Sequence, residues 1–507
     1  MKQALDNLTG RVTMYRLVII LLSVVTVTAF ALSIFQVLPT PPDNPPLPFG
    51  PAELLANLGV ALAATLLSNR MFALILRSRP HTESSIITAL ILFLLFWPIL
   101  EPIDLGTLAA ACVLATASKY LIAWRGRHIL NPAAAGATLV ALLQLNGSVW
   151  WVATGALLPV TLIGAFLILY RTGRLAMGVT FALIAVAIIT VRLTMGGQDV
   201  GDSFITSVSS YPVIFFAGFM FSEPLTMAPR RWQQLAIAGI VGVLFTIPFT
   251  IGPVYLSFEF ALVIGNVIAF AAGQRRGIRL SYLGSQQVTP TAWEFRFAPA
   301  RPVRFEPGQW LEFTSPHKGQ DARGDRRIFS IASAPGSELA VALLMPERSS
   351  SFKRSLLELE PGALLQATSV GGDFLLPRDT AVPVLLIASG IGITPFLSQL
   401  AHDRALGVER DVVLIYEVRS LDELAFVDRL ALERVLLIAP ESPSGLPADW
   451  HWIGAGPVSS ELLEREVPDV LQRRAYVSGS PVRVNQARAA LRRAGVRRIA
   501  VDAFSGY

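Results

Sequence analysis

Cysteine and histidine are almost missing from this chain: its 507 residues include one cysteine, Cys112, and five histidines, His81, His128, His317, His402 and His451. Cysteine-ligated iron–sulfur clusters, disulfide frameworks and cysteine-type zinc sites are excluded by counting, and no metal site is expected. Charge is scarce as well. Asp, Glu, Lys and Arg make up 15% of the residues and hydrophobic residues 53%, against about 25% and about 45–50% in ordinary soluble chains. An all-soluble protein is therefore excluded. At about 150 residues per domain the length allows about three domains. The net charge of +6 would suit a nucleic-acid partner only if the basic residues shared one face.

They do not cluster in that way. Up to about residue 272 the chain reads as apolar runs separated by short breaks, and a membrane span needs about 20 apolar residues. Ten spans are expected, near 14–36, 52–69, 85–100, 105–124, 132–145, 151–170, 175–195, 211–228, 234–250 and 255–272. Basic residues fall at alternate ends: Lys2, Arg11 and Arg16, then Arg70, Arg77 and Arg79, then Arg125 and Arg127, Arg171 and Arg174, Arg230 and Arg231, and Arg275, Arg276 and Arg279. The opposite loops, 37–51, 101–104, 146–150 and 196–210, hold no Lys or Arg. By the positive-inside rule both termini are cytoplasmic, in a multi-pass protein of a bacterial-type inner membrane. The +6 then reflects topology, with the lipid bilayer as a partner and no nucleic acid. Ala29-Phe30-Ala31 resembles a signal-peptidase site, but the long apolar run before it reads as a signal anchor.

Two similar punctuation marks, Leu100-Glu101-Pro102-Ile103 and Ser222-Glu223-Pro224-Leu225, lie five spans apart. An inverted repeat of five plus five helices would produce that spacing, with Pro-broken helices lining a central site; turn chemistry at a helix end is the plainer alternative. Glu223 and Glu259 are the carboxylates nearest the expected membrane interior. The segment Arg127-His128-Ile129-Leu130-Asn131-Pro132-Ala133-Ala134-Ala135-Gly136, with Glu223-Pro224-Leu225-Thr226, resembles the RnfD/NqrB family of membrane redox subunits. The resemblance implies FMN in the helical domain, with Asn131, Glu223 and Thr226 at a membrane site. That family carries its flavin on the threonine of a Ser-Gly-Ala-Thr motif on the outer side. Here the near match, Ala135-Gly136-Ala137-Thr138, lies several residues into the fifth span from the cytoplasmic end and reads more simply as small-residue packing. In the outer loop, Thr206 is the candidate attachment point.

After Arg279 the pattern switches to alternating strands, with Trp293, Phe295 and Phe297 interleaved by Glu294 and Arg296. Five features follow in order. Pro307-Gly308-Gln309-Trp310 is a turn into a strand. Arg327-Ile328-Phe329-Ser330-Ile331-Ala332-Ser333 offers a cation for a pyrophosphate, an aromatic to cover a flavin ring, and hydroxyls. Ser349-Ser350-Ser351-Phe352 opens an amphipathic helix whose amino end could hold phosphate, or is simply capped by serine. Gly371-Gly372-Asp373-Phe374 closes that part. The apolar strand Val382 to Ile387 then runs into Ala388-Ser389-Gly390-Ile391-Gly392-Ile393-Thr394-Pro395, a strand–glycine turn–helix arrangement that lets a dinucleotide phosphate approach bare amides. Strands at Val412 to Tyr416, Val435 to Ile438 and Ala475 to Val477 alternate with helical stretches and suggest a parallel sheet, the last leading into Ser478-Gly479-Ser480-Pro481.

In that order these motifs resemble the ferredoxin–NADP reductase superfamily over residues 281–507. The resemblance implies FAD bound through Arg327, Phe329, Ser330, Ser333, Ser350, Ser351 and Phe374, and NAD(P)H as electron donor bound through Gly390, Gly392, Thr394, Pro395, Gly479 and Pro481. Ser330 and the terminal aromatic Tyr507 are the implied catalytic pair. Two departures matter: Phe329 replaces the family's tyrosine, and Ser478 replaces the usual cysteine. The expected organisation is a membrane domain over 1–279, an antiparallel FAD barrel over 280–379 and a parallel α/β NAD(P) domain over 380–507. The expected function is oxidation of cytoplasmic NAD(P)H with electrons passing into or across the membrane, to a quinone or an extracytosolic redox protein. An ion or solute transporter with a redox-sensing flavin module is the alternative. A haem-based reductase is disfavoured, because its stacked histidine pairs are missing from the apolar runs.

Overall fold

The computed structural model describes residues 12–38, 50–78, 80–124, 127–251, 254–256, 258–274, 277–315, 317, 319, 325–336, 338–347, 349–430 and 433–504. The chain divides into two units, Met1–Arg275 and Arg276–Tyr507.

The first unit is helical: α1 (Met14–Ile34), α2 (Pro51–Ile75), α3 (Thr82–Leu95), α4 (Pro102–Leu121), α5 (Pro132–Leu142), α6 (Leu158–Arg171), α7 (Leu175–Met195), α8 (Val200–Ser209), α9 (Val213–Phe215), α10 (Arg231–Leu244) and α11 (Phe258–Ala269). Proline punctuates it, standing at the first turn of α2, α4, α5 and α6, where the missing amide costs no hydrogen bond. After α9 the chain forms one π-helical turn, Phe216–Met220. This turn packs Phe216 against Phe181 (4.9 Å between centroids), Phe245 (4.9 Å) and Trp150 (5.9 Å), an aromatic core that Phe258 extends.

The expected ten-span bundle does not form among the described residues. Among the described residues only α1, α2 and α7 are long and apolar enough to cross a bilayer, with α8 and Val213–Met220, bent by 45°, as a broken fourth. The apolar runs do not all become long helices. The 14-residue α3 spans about 21 Å at 1.5 Å per residue, short of a core about 30 Å thick, and Leu90 to Leu95 are buried within the protein. In the run near 151–170, residues before α6 form turns, and Trp150, just ahead of the run, is in the left-handed region (φ +57°). The five-plus-five repeat depended on the count of ten and falls with it.

The second unit opens with β1 (Ile278–Thr289), β2 (Ala292–Pro299), β3 (Trp310–Thr314), β4 (Arg326–Ser330), β5 (Leu339–Leu344), α12 (Ser351–Leu357) and β6 (Leu364–Gly371). Their six strands form one antiparallel sheet in the order β4-β3-β6-β1-β2-β5. A bridge between Ile331, just past β4, and Val341 of β5 joins the two edges, so the sheet curls into a barrel around Phe295, Phe297, Phe313 and Leu311.

A parallel sheet follows, from β7 (Val384–Ser389), β8 (Val412–Glu417), β9 (Val435–Ile438), β10 (Trp450–Gly454), β11 (Arg474–Gly479) and β12 (Ile499–Ala503), with α13 (Thr394–Ala405), α14 (Ser460–Glu466) and α15 (Pro481–Arg493) among its connections. Its order is β10-β9-β8-β7-β11-β12. β7 reads as a buried apolar run, and β11 is buried after its first residue, as expected for strands covered on both faces. The order reverses between β7 and β11, and in such sheets ligands bind outside the carboxyl ends of the strands at that point.

Candidate functional site

The carboxyl ends of β7 and β11 meet as two glycine turns. Gly390 has φ +52° and a Cβ there would meet nothing within 4 Å, whereas a Cβ on Gly392 would lie 2.4 Å from the Ser478 carbonyl oxygen. Gly390 therefore presents open backbone, and Gly392 lets the turn lie against β11. Gly479, at φ +150°, also lies close to its neighbour, since a Cβ there would be 2.9 Å from the Ser389 Cβ. Thr394 is buried and donates its hydroxyl to the Ile391 carbonyl (3.1 Å), with Pro395 in the first turn of α13. Pro481 likewise starts α15, behind the cap made by Ser480. The structure thus brings Gly390, Gly392, Thr394, Pro395, Gly479 and Pro481 to one edge.

Beside this edge stands a trio that joins barrel and sheet. Ser330, at the end of β4, donates its hydroxyl to Asp502 of β12 (3.3 Å), and Asp502 is the register partner of Ser478 on β11. Burial pushes the Asp502 carboxyl up to about 6, with the Ser330 hydrogen bond pulling the other way. The Ser478 side chain is 1% exposed and its hydroxyl has no hydrogen-bond partner among the described residues. A buried hydroxyl in that state has lost water without replacement, so it fits a site completed by a polar ligand group. Phe504, just beyond β12, donates its amide to the Gly479 carbonyl (2.8 Å); Tyr507 lies outside the described residues.

The barrel supplies a second group. Alternation along β4 puts Arg327 and Phe329 on one face. The buried Arg327 guanidinium lies 5.3 Å from the Phe352 ring centroid, and Phe329 lies 6.0 Å from the same ring. Ser350 caps α12 by accepting the Lys353 amide (3.3 Å), and Ser351 is hydrogen-bonded to His317 (2.9 Å). Arg327, Phe329, Ser350 and Ser351 are thus neighbours around Phe352, a basic and hydroxyl-bearing surface of the kind a pyrophosphate requires.

Two further expected residues make contacts within the protein. Ser333 accepts the Ala340 amide (3.0 Å) and its main-chain carbonyl accepts from Ser398 (2.6 Å). Phe374 is buried between Phe396 and Tyr476, each 5.5 Å away. Arg419, considered for a 2′-phosphate, is paired with Glu423 (3.1 Å). Asp502 was missed by the sequence reading, although a lone acid in the apolar run Ile499 to Ala503 was a signal. Glu294 was also missed: it is 2% exposed on β2 and receives both guanidinium nitrogens of Arg429 (2.6 and 2.8 Å), a forked link between the barrel and the nucleotide sheet.

In the helical unit Asn131, Glu223 and Thr226 do come together. Glu223 accepts from Asn131 (2.9 Å) and Thr226 (3.4 Å) and pairs with His128 (2.8 Å), while Asn131 also caps α5. Arg127 donates to the Leu225 and Pro224 carbonyls and Arg174 to the Ser222 carbonyl, so the cluster caps an irregular segment. Thr206 is elsewhere, on α8, accepting from Gln198 (3.1 Å). Gly136 packs against the Ala111 carbonyl and Ala115, so Ala135 to Thr138 act as close helix packing.

No family model matches the chain. Ferredoxin–NADP reductase B of Sorangium cellulosum is 32% identical over 199 residues, which are 37% of this chain and 75% of that protein. The chain belongs to the ferredoxin–NADP reductase family. The reductase component of propane 2-monooxygenase from Rhodococcus jostii is 26% identical over 215 residues, 40% of this chain and 56% of that component. Among solved structures, a ferredoxin–NADP reductase of Neisseria gonorrhoeae with bound FAD and NADP superposes with a TM-score of 0.38 at 20% identity, covering 45% of this chain and 98% of that one. The protein is therefore an NAD(P)H-dependent, FAD-containing oxidoreductase of the ferredoxin–NADP reductase type. The resemblance of the helical half to RnfD/NqrB is overturned, because it required ten spans and among the described residues only three helices, or four with the bent pair, are long and apolar enough to cross a bilayer. The short motifs behind it are accounted for by capping and packing.

Proposed function

We propose that the reductase unit oxidises NAD(P)H where Ser330, Asp502 and Ser478 converge, and that the electrons leave for an acceptor in or at the membrane reached by the apolar helices. The convergence of barrel and sheet on Ser330 and Asp502, 3.3 Å apart, carries this reading. Bound FAD supplies a two-electron acceptor that can release electrons singly. Arg327 would neutralise its pyrophosphate with Ser350 and Ser351 alongside, and Phe329 would lie against the flavin with its ring, without the hydrogen bond a tyrosine gives. The amides around Gly390 and Gly392, at the start of the turn into α13, would receive the nicotinamide dinucleotide, with Gly479 and Pro481 shaping the opposite wall.

Asp502 fixes the Ser330 hydroxyl by accepting its proton in a hydrogen bond, so the Ser330 oxygen is presented in one orientation. Ser478 offers a second hydroxyl from the neighbouring strand. Orientation of this kind favours a reactive approach of nicotinamide and flavin. Tyr507 is the aromatic that would cover the flavin until the nicotinamide arrives.

A bilayer core is about 30 Å thick, so delivery of electrons to the far side requires a second carrier. FMN in the helical unit is the proposed carrier, and a quinone or an extracytosolic redox protein the acceptor. Flavin analysis of the purified full chain tests this: FAD and FMN in equal amounts are expected, and FAD alone would confine the electrons to the reductase side. Substitution Arg327→Ala should weaken FAD binding and lower NAD(P)H oxidation in proportion to the FAD lost; oxidation that persists without FAD would sink the reading.

A further inference from the structure

Residues 481–500 contain six arginines and no acidic residue. Arg483, at the amino end of α15, pairs with Glu417 (2.8 Å). Arg488 lies mid-helix, and the other four gather toward the opposite end. α15 links two parallel strands, so it runs back along the sheet, and its last turn, with the exposed Arg492 and Arg493, lies at the amino edge. Gly495 (φ +86°) turns the chain, and the exposed Arg497 and Arg498 precede β12. The Ala475 amide donates to the Arg498 carbonyl (3.1 Å), which brings the exposed Arg474 alongside. Leu471, 67% exposed, lies against Gly495 within this group.

Elsewhere along the same edge arginines are compensated: Arg404 pairs with Glu433, Arg410 with Asp403, and Arg473 with both Asp411 and Asp469. Among the described residues no ion pair involves Arg474, Arg492, Arg493, Arg497 or Arg498; Glu461 lies within electrostatic reach of Arg493 without pairing with it. Uncompensated like charges held together by a fold repel one another and attract an extended anionic surface.

We propose that this corner, five arginines around Leu471, docks on an anionic lipid surface. Charge complementarity favours lipid, because polybasic groups bind acidic headgroups and an exposed leucine among them can enter the interface. Proximity favours it as well, since the same chain carries three helices apolar enough to cross a bilayer. The corner lies at the opposite end of the strands from Gly390 and Gly479, so docking leaves the nucleotide turns facing water.

The test uses the full chain with its flavin in nanodiscs, carrying Gln472→Cys with a nitroxide label; the native Cys112 is buried. Discs of phosphatidylcholine alone are compared with discs that also contain phosphatidylglycerol. The label is expected to become several-fold less accessible to an aqueous relaxation agent in the anionic discs only. Raising the salt from about 0.1 M to about 1 M, where the screening length falls from about 10 Å to about 3 Å, should reverse this. So should combining Arg492→Gln, Arg493→Gln, Arg497→Gln and Arg498→Gln, with NAD(P)H–ferricyanide activity retained as proof of folding. Equal accessibility in both lipids at low salt overturns the proposal. Protection that is equal in both and survives high salt also overturns it and assigns the corner to a protein contact.

Discussion

Asp502 is a carboxylate held by one hydroxyl in a place that strips away water, and its behaviour with pH follows from that. A carboxyl raised from the ordinary range to about 6 binds its proton more tightly when folded. Stability associated with it is therefore present at low pH and falls as pH rises through about 6. The Asp502→Asn variant should melt a few degrees higher than the parent at pH 8, with the difference shrinking as pH falls from about 6 toward about 4, by thermal denaturation. In the pH profile of NAD(P)H oxidation the inflection near 6 should disappear in the same variant. Arg327→Ala removes a buried cation, and at the usual strength of charge-assisted hydrogen bonds FAD should bind about ten- to a hundredfold more weakly, measured by flavin retained on dialysis. Arg327 and Ser330 were legible because their types are unusual in a strand and sit at a motif's spacing. Asp502 was not: its meaning comes from the register of β12 beside β11 and from the barrel brought against it, neither of which is local in sequence. Ser350 shows the opposite limit, since it is a helix cap in the structure and its proposed phosphate role draws on the same serine, two readings that the sequence does not separate.

Elements place these residues, and two contacts decide how. The turn after β7 lies so close to β11 that Gly392 has no room for a methyl group. Gly392→Ala should cost at least about tenfold in kcat/KM for NAD(P)H, about 1.4 kcal/mol, with FAD retained; steady-state kinetics with flavin absorbance read both. The Glu294–Arg429 fork joins β2 to the nucleotide sheet with one side chain 2% and the other 45% exposed. Arg429→Ala leaves a buried carboxylate without its counter-ion and should destabilise the reductase unit by about 2 kcal/mol, whereas Glu294→Gln, which keeps neutral hydrogen bonding, should cost less in denaturant titration. Strand and glycine-turn patterns of this unit are readable because alternation and buried runs have short periods. The fork is not, because 135 residues separate its partners.

Across the whole molecule, apolar composition proved a poor counter of spans. It marked the places of helices, but α3 and α5, at 14 and 11 residues, spend their apolar side chains on protein neighbours rather than on lipid, and turn residues such as Trp150 do the same. Three long helices still suffice for attachment: the chain should remain in the membrane pellet after an alkaline carbonate wash and be released by detergent, as followed by immunoblot. The parallel sheet has a further consequence of its own. Its nucleotide turns and its arginine corner sit at opposite ends of strands of about six residues, a separation of about 20 Å, or two screening lengths at 0.1 M salt. Each end is thus electrically deaf to the other, so the surface the enzyme rests on can be rewritten by selection or by an engineer without retuning the flavin.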